Sequence, residues 1–418
     1  MRIPLMMALT LIILSVAVDS YIFADIRRNF PRRRAAAIAY GILSVLCWIF
    51  ILICILMPRR DVGSGIEFQM WGIYAYLSVY VPKIIFTLFS ILGGLPRLFS
   101  RRTWHTGKWI GLPLAVISFV AMWWGALVTR SQIEVVDVNI SSPRIPKSFD
   151  GYRIIQISDL HVGTWGNDTR FISRLCDSVN ALRPDAIFFT GDIVNRQTGE
   201  LQPFLRALSG LKAKDGVYSI LGNHDYGDYI DWPTPQEKNE NLQLLKNWQR
   251  QIGWRLLNNE RTDLIANGDT IQLIGVENWG EPPFHQYGHL LDAYPLSTDS
   301  VKNLKDNRYK ILLTHNPEHW LREVTKISNI DLTLSGHTHA MQFELRLGNW
   351  KWSPSAFRYA TWGGLYSRPA TDGTPMKLYV NIGAGEVGMP FRIGATPEIT
   401  VITLHSAPDG ESSPAKEI

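Results

Sequence analysis

Along the 418 residues the spacing of apolar and polar positions changes character once, near residue 130. Before that point stand four long apolar stretches, Ile3 to Ala24, Ala35 to Met57, Ile66 to Gly94 and Trp109 to Thr129. Each approaches or exceeds the roughly 20 residues that cross a bilayer as a helix. Only Arg2 precedes the first, no small-residue cleavage site follows it, and the charged loop Asp25 to Arg34 comes next, so it reads as a span and not as a cleavable signal. From about Glu134 short apolar runs end in small or polar residues: YRIIQIS (152–158), AIFFT (186–190), VYSIL (217–221), IQLIGV (271–276), KILLT (310–314), DLTL (331–334), KLYVNI (377–382) and EITVITL (398–404). These predict buried strands, and Arg170 to Ala181, Phe204 to Leu211 and Glu237 to Ile252 predict helices between them. The pattern therefore divides the chain into an all-α transmembrane region over 1–130 and an α/β domain over 131–406 with sheets covered on their faces. The Ser-, Pro- and charge-rich remainder, 407–418, is expected to be a disordered tail.

Charge adds an orientation. The formal net charge is only +5, and much of the excess sits in loops beside the spans. Arg27, Arg28, Arg32, Arg33 and Arg34 follow the first span, and Arg97, Arg101, Arg102 and Lys108 follow the third. Between the second and third, Arg59 and Arg60 are offset by Asp61 and Glu67. Positively charged loops stay in the cytoplasm, so the N-terminus and the α/β domain are expected on the outer side of the membrane. Asp19 and Lys83 interrupt two spans that run in the same direction, at similar depth, and a charge in lipid is costly unless paired, so either the two meet or Lys83 snorkels to the interface while Asp19 marks a helix end. Cys47 and Cys54 lie within the second span and Cys176 is alone, which excludes a disulfide framework and a thiolate metal site. Nothing in the charge pattern suggests nucleic-acid binding.

The chemistry lies where the strands end. ISDLHVG, TGDIVN, LGNHDYG, LTHNP and SGHTHA each follow a predicted strand, at the edge of an α/β sheet where ligand sites collect. His337 and His339 stand at i and i+2, which project the same way from extended backbone. Two such histidines alone could be surface residues; five clusters of Asp, Asn and His at one kind of sheet edge point to a metal. Carboxylate, imidazole and one neutral amide suit Mn, Fe or Zn better than the all-oxygen cage of Ca.

The ordered set D-x-H, G-D, G-N-H-D, H and G-H-x-H, over about Tyr152 to Leu404, resembles the calcineurin-like metallophosphoesterases, and most closely their bacterial membrane-associated branch. That resemblance implies a four-layer sandwich of two mixed β-sheets flanked by helices. It implies two divalent ions, one held by Asp159, His161, Asp192 and His339, the other by Asp192, Asn223, His315 and His337, with Asp192 bridging. His224 would act at the leaving-group oxygen, with Asp225 orienting it, and Gly191, Gly222 and Gly336 would let the backbone approach the site. Arg392, in a Gly- and Pro-rich closing segment, would touch phosphate or form a structural ion pair, and His285 and His289, in a loop between the third and fourth motifs, would touch substrate or belong to a surface loop. His319 and His405 read as structural. Relatives commonly follow the second histidine pair with two glycines and a glutamine; here Ala340 and Met341 precede Gln342. The aromatic stretch LGNWKWSPSAFRYATWGGLY is either a lip on the membrane or a loop packed on its own domain. The implied activity is hydrolysis of a phosphomonoester or phosphodiester by metal-activated water, on a lipid-linked or envelope phosphate, with membrane lipids as partners. The alternatives are a cytoplasm-facing pyrophosphatase of a nucleotide-linked lipid precursor and a non-catalytic receptor that binds metal and phosphate.

Overall fold

The structure is a computed structural model that describes residues 5–56, 64–95, 106–282, 284–294, 308–348, 350–370, 373, 375–407 and 413–418. It divides into two compact units, residues 1–128 with 388–393, and residues 129–387 with 394–418.

In the first unit the apolar stretches form α1 (Leu5–Asn29), α2 (Arg34–Leu56), α3 (Ser64–Gly94) and α4 (Thr106–Leu127). All four are long and apolar enough to cross a membrane. Their packing inverts that of a soluble bundle: Ile38, Ile53, Val116 and Trp124 face outward, while Ser15, Asp19, Tyr76 and Tyr80 are buried. Lipid favours that arrangement, because polar groups there must find partners inside the protein. Asp19 finds four. Its Oδ1 accepts from Lys83 Nζ (2.8 Å) and Tyr40 OH (2.5 Å), and its Oδ2 from Tyr80 OH (2.6 Å) and Trp48 Nε1 (3.1 Å). The Lys83 ammonium also lies over the Tyr40 and Tyr80 rings, 4.9 and 4.6 Å from their centres. Of the two readings of Asp19 and Lys83, the pair is the one present, and it ties α1, α2 and α3 together. Arg59, Arg60, Asp61, Arg97, Arg101 and Arg102, which enter the orientation reading, lie outside the described residues.

Among its described residues the second unit carries fifteen strands. They are β1 (Glu134–Ser141), β2 (Arg153–Ile157), β3 (Ala186–Phe189), β4 (Val217–Ser219), β5 (Trp254–Leu256), β6 (Glu260–Ala266), β7 (Asp269–Gly275), β8 (Tyr309–Leu313), β9 (Leu332–Ser335), β10 (Leu345–Leu347), β11 (Trp350–Trp352), β12 (Gly364–Pro369), β13 (Pro375–Val380), β14 (Glu398–His405) and β15 (Lys416–Glu417). One sheet runs β1-β14-β2-β3-β4-β5 and the other β15-β12-β13-β9-β8-β7-β6. Both are mixed: β14 and β2 are antiparallel in the first, β12 with β13 and β6 with β7 in the second.

Strict alternation along the central strands builds the layers. Ile154, Ala186 and Phe188 face Ile311, Leu313, Leu332 and Leu334 between the sheets, whereas Ile155, Ile157, Ile187 and Phe189 face outward against Phe171, Leu175 and Val179 of α5 (Arg170–Ala181). On the far side of the second sheet, Leu312, Leu378 and Val380 pack against Trp320 and Val324. Apolar residues on both faces explain why these strands read as continuous apolar runs, with burial contributing roughly 1.5–3 kcal/mol for each large side chain. Helix, sheet, sheet and helix are stacked in the expected four layers.

Two local expectations differ from the structure. The helix expected over Phe204 to Leu211 is a 3-10 turn, Thr198–Phe204, running into a single α turn, Leu205–Leu208, because Pro203 and Gly210 bracket it. The tail expected to be disordered is pinned at its end. Ser413 N–H donates to the Asn139 carbonyl (2.8 Å), and β15 runs parallel to β12 at the margin of the second sheet. Average composition does not register that an open strand edge is available to pair.

Candidate metal centre

Each ligand candidate sits two to four residues beyond a strand end: Asp159 and His161 after β2, Asp192 after β3, Asn223 after β4, His315 after β8, His337 and His339 after β9. Both sheets contribute, so the seven residues converge from two layers onto one place. The turns that deliver them are unusual. Asp159, His161, Asp192, His337 and His339 all have positive φ, between 41° and 75°. A non-glycine residue there costs about 1–3 kcal/mol, and such conformations persist where the surroundings over-determine them. The glycines let backbone come close: a Cβ on Gly222 would lie 2.1 Å from Asp192 Oδ1, and one on Gly336 would lie 2.2 Å from Asp159 Oδ2.

The contacts form two groups sharing one oxygen. In the first, His339 Nε2 is 3.1 Å from Asp159 Oδ1 and 3.1 Å from His161 Nε2. His161 Nε2 stands 3.5 Å from Asp192 Oδ2 and 4.0 Å from Asp159 Oδ1. In the second, His315 Nε2 lies 3.1 Å from the same Asp192 Oδ2 and 3.2 Å from His337 Nδ1. Ligands held at roughly 2.0–2.2 Å around one ion stand roughly 3–3.5 Å apart when adjacent and roughly 4 Å when opposite. The observed separations fall in those ranges. Asn223 Oδ1 and His161 Nδ1 are buried with no hydrogen-bond partner among the described residues. An acceptor-rich set, buried except for the partly exposed His337 and holding an orphaned amide oxygen, fits two divalent cations.

Surrounding groups fix which atom of each ligand faces inward, a pattern expected around metal-binding histidines. His315 Nδ1 pairs with the Thr190 carbonyl (2.8 Å) and His337 Nε2 with Tyr359 OH (3.0 Å), leaving His315 Nε2 and His337 Nδ1 for the centre. Asn223 Nδ2 donates to Tyr229 OH (2.7 Å), which turns Oδ1 inward. Electrostatics follow from the crowding. Burial opposes charge on His315, but the Asp192 and Asp159 carboxylates outweigh it and push the ring up to about 9. Burial, then the neighbouring His315, holds His337 down to about 3. Asp159, despite its burial, is kept below the usual carboxylate range by His339.

His224 stands beside this set, edge-on to His161 at 4.8 Å and stacked on Tyr229 at 4.2 Å. Its ring is held neutral by burial, with a pKa lowered to about 4. The expectation that Asp225 orients it is corrected by the structure. Asp225 turns the other way, and its carboxylate accepts backbone N–H groups of Gly222, Asp192, Ile193 and Val194 at 2.8–3.3 Å, clamping the Asp192 loop. The Asn195 carbonyl, 2.6 Å from His224 Nδ1, orients the ring and leaves Nε2 for chemistry. Burial and Asp192 together push Asp225 up to about 7.

Two further positions bear on substrate contact. Arg392 belongs to the helical unit, where it is buried and its N–H donates to the Gly125 carbonyl at 3.2 Å. His285 is exposed, and the residue of its loop that reaches the centre is Phe284, edge-on to His337 at 5.1 Å. His319 is structural, between Thr314 Oγ1 (2.9 Å) and Glu323 (3.0 Å), and His405 pairs with Asn139 (3.1 Å). Tyr229 and Tyr359 are site residues that the motifs do not mark; only their nearness to Asn223 and to the aromatic stretch hints at them.

Comparison with known proteins agrees with this geometry. Residues 152–341 match the calcineurin-like phosphoesterase family, and residues 1–130 match a family described as the transmembrane domain of a probable calcineurin-like phosphoesterase. The uncharacterized metallophosphoesterase YkuE of Bacillus subtilis is 31% identical over 277 residues, 66% of this chain and 86% of that protein. A bovine transmembrane protein with metallophosphoesterase domain (Bos taurus) is 28% identical over 363 residues, 82% of this chain and 76% of its own length. The zebrafish protein (Danio rerio) of the same description is 29% identical over 80% of this chain and 73% of its own length. With these matches, and four helices long and apolar enough to cross a membrane ahead of the α/β domain, the chain belongs to the calcineurin-like metallophosphoesterases and is a phosphoesterase hydrolase.

Proposed function

We propose that the chain is a two-metal phosphohydrolase that hydrolyses a phosphomonoester or phosphodiester at a membrane surface. The observation that carries this is the sharing of one carboxylate oxygen, Asp192 Oδ2, between His161 at 3.5 Å and His315 at 3.1 Å. Asp159, His161, Asp192 and His339 would hold one cation, and Asp192, Asn223, His315 and His337 the other. When bound, such a pair polarises a phosphoryl group and lowers the pKa of water, which suits Mn, Fe or Zn. The chain's own residues do the rest. Asp192 Oδ1 accepts the His224 backbone N–H (2.8 Å), fixing where that ring stands. With Nδ1–H committed to the Asn195 carbonyl, His224 Nε2 is the atom placed to hold or return a proton at the leaving oxygen. Its lowered pKa in the metal-free centre rises when a dianionic ester binds beside it, because negative charge favours the imidazolium.

The test uses the full chain in detergent, stripped of metal and reloaded with Mn, Fe or Zn, on aryl phosphomonoesters and phosphodiesters. Metal-dependent turnover that falls by about a hundredfold or more in His224→Ala supports the reading. Two equivalents of tightly bound metal with no turnover on either class would reject it in favour of a binding role. The orientation that the basic loops suggest, with the domain outside a bacterial inner membrane, is tested by a reporter fused after Ile418; a cytoplasmic signal would reverse it.

A further inference from the structure

The turn that carries His337 and His339 does not return directly to the second sheet. After Gln342 the chain runs out into β10 and β11, which pair only with each other as a two-stranded ribbon. Its register places Leu345 opposite Trp352, Arg346 opposite Lys351, and Leu347 opposite Trp350. Because side chains alternate along a strand, Leu345, Leu347, Trp350 and Trp352 share one face and Arg346 and Lys351 the other. The apolar face is largely bare: Leu345 is 45% exposed, Leu347 73% and Trp350 53%, with Met341 at 46% and Phe357 at 85% beside them. Eleven large apolar residues are exposed among the described residues of this unit, and five of them fall within positions 341–357. An isolated two-stranded ribbon is marginal in water, and a cluster of exposed Trp, Leu and Phe on one is a surface that something covers. The rest of the aromatic stretch behaves differently, since Tyr359, Trp362 and Tyr366 are buried in the domain. The stretch is therefore part packed loop and part projecting ribbon.

The position of the ribbon along the chain indicates what covers it. Arg346 Nη1 bonds Glu134 Oε1 at 2.8 Å, fastening the basic face to the first residue of β1. Glu134 comes three residues after Ser131, where the apolar stretch Thr106–Ser131 ends. Three residues reach at most about 11 Å, so the base of the ribbon lies close to where the chain leaves the membrane. Tryptophan with leucine and phenylalanine, backed by exposed lysine and arginine, is the composition that favours the boundary between lipid tails and phosphate headgroups.

We propose that the ribbon of β10 and β11, with Met341 and Phe357, is a finger that lies in the surface of a lipid bilayer and seats the mouth of the metal centre against it. The ribbon is one piece with the ligand turn. Ser353 Oγ donates to the Ala340 carbonyl (2.5 Å), Ser355 Oγ to the Thr338 carbonyl (3.4 Å), and the strand out of the finger returns through Tyr359 to His337. Resting on the reading of the centre as a phosphohydrolase, this makes the substrate class a phosphoester presented in the plane of the membrane, its headgroup entering between the finger and the ligands.

The test places nitroxide labels on single cysteines at Leu347, Phe357 and, as a control, exposed Leu244 of the helix Pro235–Gln251. The full chain, with its three cysteines replaced by alanine, is reconstituted in nanodiscs of zwitterionic and anionic phospholipid. Accessibility to oxygen is compared with accessibility to a water-soluble nickel chelate. The finger is supported if labels at 347 and 357 favour oxygen while the label at 244 favours nickel. It is overturned if all three favour nickel, or if spin–spin distances show the 347 labels of two chains in contact, which would make the face an interface between copies. Turnover of a water-soluble aryl phosphate by the unsubstituted chain is measured alongside. Buried labels without turnover reject the hydrolase reading and leave the finger standing; turnover with exposed labels does the reverse.

Discussion

Two buried aspartates, one in each unit, show opposite ways of keeping a carboxylate out of water. Asp19 is surrounded by donors: a lysine, two tyrosines and a tryptophan supply one contact for each of its lone-pair directions. Asp192 is surrounded by groups that are themselves short of donors. Its Oδ2 faces two imidazole nitrogens, those nitrogens face others at 3.1 and 3.2 Å, and a buried amide oxygen nearby has no partner among the described residues. The protein alone satisfies the first cluster, which makes it a joint between helices. The second is completed only by added positive charge, which makes it a reagent. A buried charge says little by itself; the balance of donors and acceptors around it says which kind it is.

That contrast breaks most visibly if Asp19 is neutralised. Asp19→Asn leaves the Lys83 ammonium uncompensated and should lower stability by roughly 3–5 kcal/mol. Lys83→Met should do the same from the other side, and the double variant should cost less than the sum, because the two share one interaction. Thermal unfolding in detergent reads all three, and metal binding should not change. If each single variant unfolds like the parent, the joint is decorative.

A second, intermediate effect separates the clusters by pH. The folded pKa of His315 is raised to about 9, above its ordinary 6.5. Its contribution to the stability of the metal-free chain is therefore complete below pH 6.5 and lost as pH rises through 9. A cation must displace that proton, so binding strengthens over the same interval. The gap in Tm between metal-loaded and metal-stripped protein should widen from pH 7 to 9. A constant gap would mean that His315 carries no proton to displace.

The smallest expected effect concerns the turn after the histidine pair. Ala340 and Met341, where relatives commonly carry two glycines, both have positive φ, 49° and 45°. Met341 is half exposed, so Met341→Gly loses little packing and should stabilise the chain by about 1 kcal/mol, since glycine adopts that backbone without penalty. A chemical-denaturation midpoint that moves downward would show that the methionine packs more than its exposure suggests.

How much of this was legible from residues alone follows physical lines. The eight central strands could be read because both faces are buried and their apolar runs are unbroken. β6 could not, because it is an edge with mostly exposed positions, and β10 and β11 could not, because their apolar face is not buried in the fold at all. The seven ligand candidates could be picked out because metal chemistry demands particular side chains at particular strand ends. The groups that orient them could not, since the Thr190 and Asn195 carbonyls exist whatever the side chain is. Asp225 shows the hazard of adjacency: next to His224 in sequence, it is turned by the 3-10 helix Asn223–Tyr226 toward the backbone of the Asp192 loop.

The central claim is that one oxygen of Asp192 serves two cations, and metal stoichiometry tests it most directly. The full-length chain, stripped and then titrated with Mn or Zn by calorimetry with elemental analysis of the retained metal, should take up two ions. Asp192→Asn should retain fewer than two and lose the proton release that accompanies binding. Two ions bound as tightly by Asp192→Asn as by the parent would contradict the shared site.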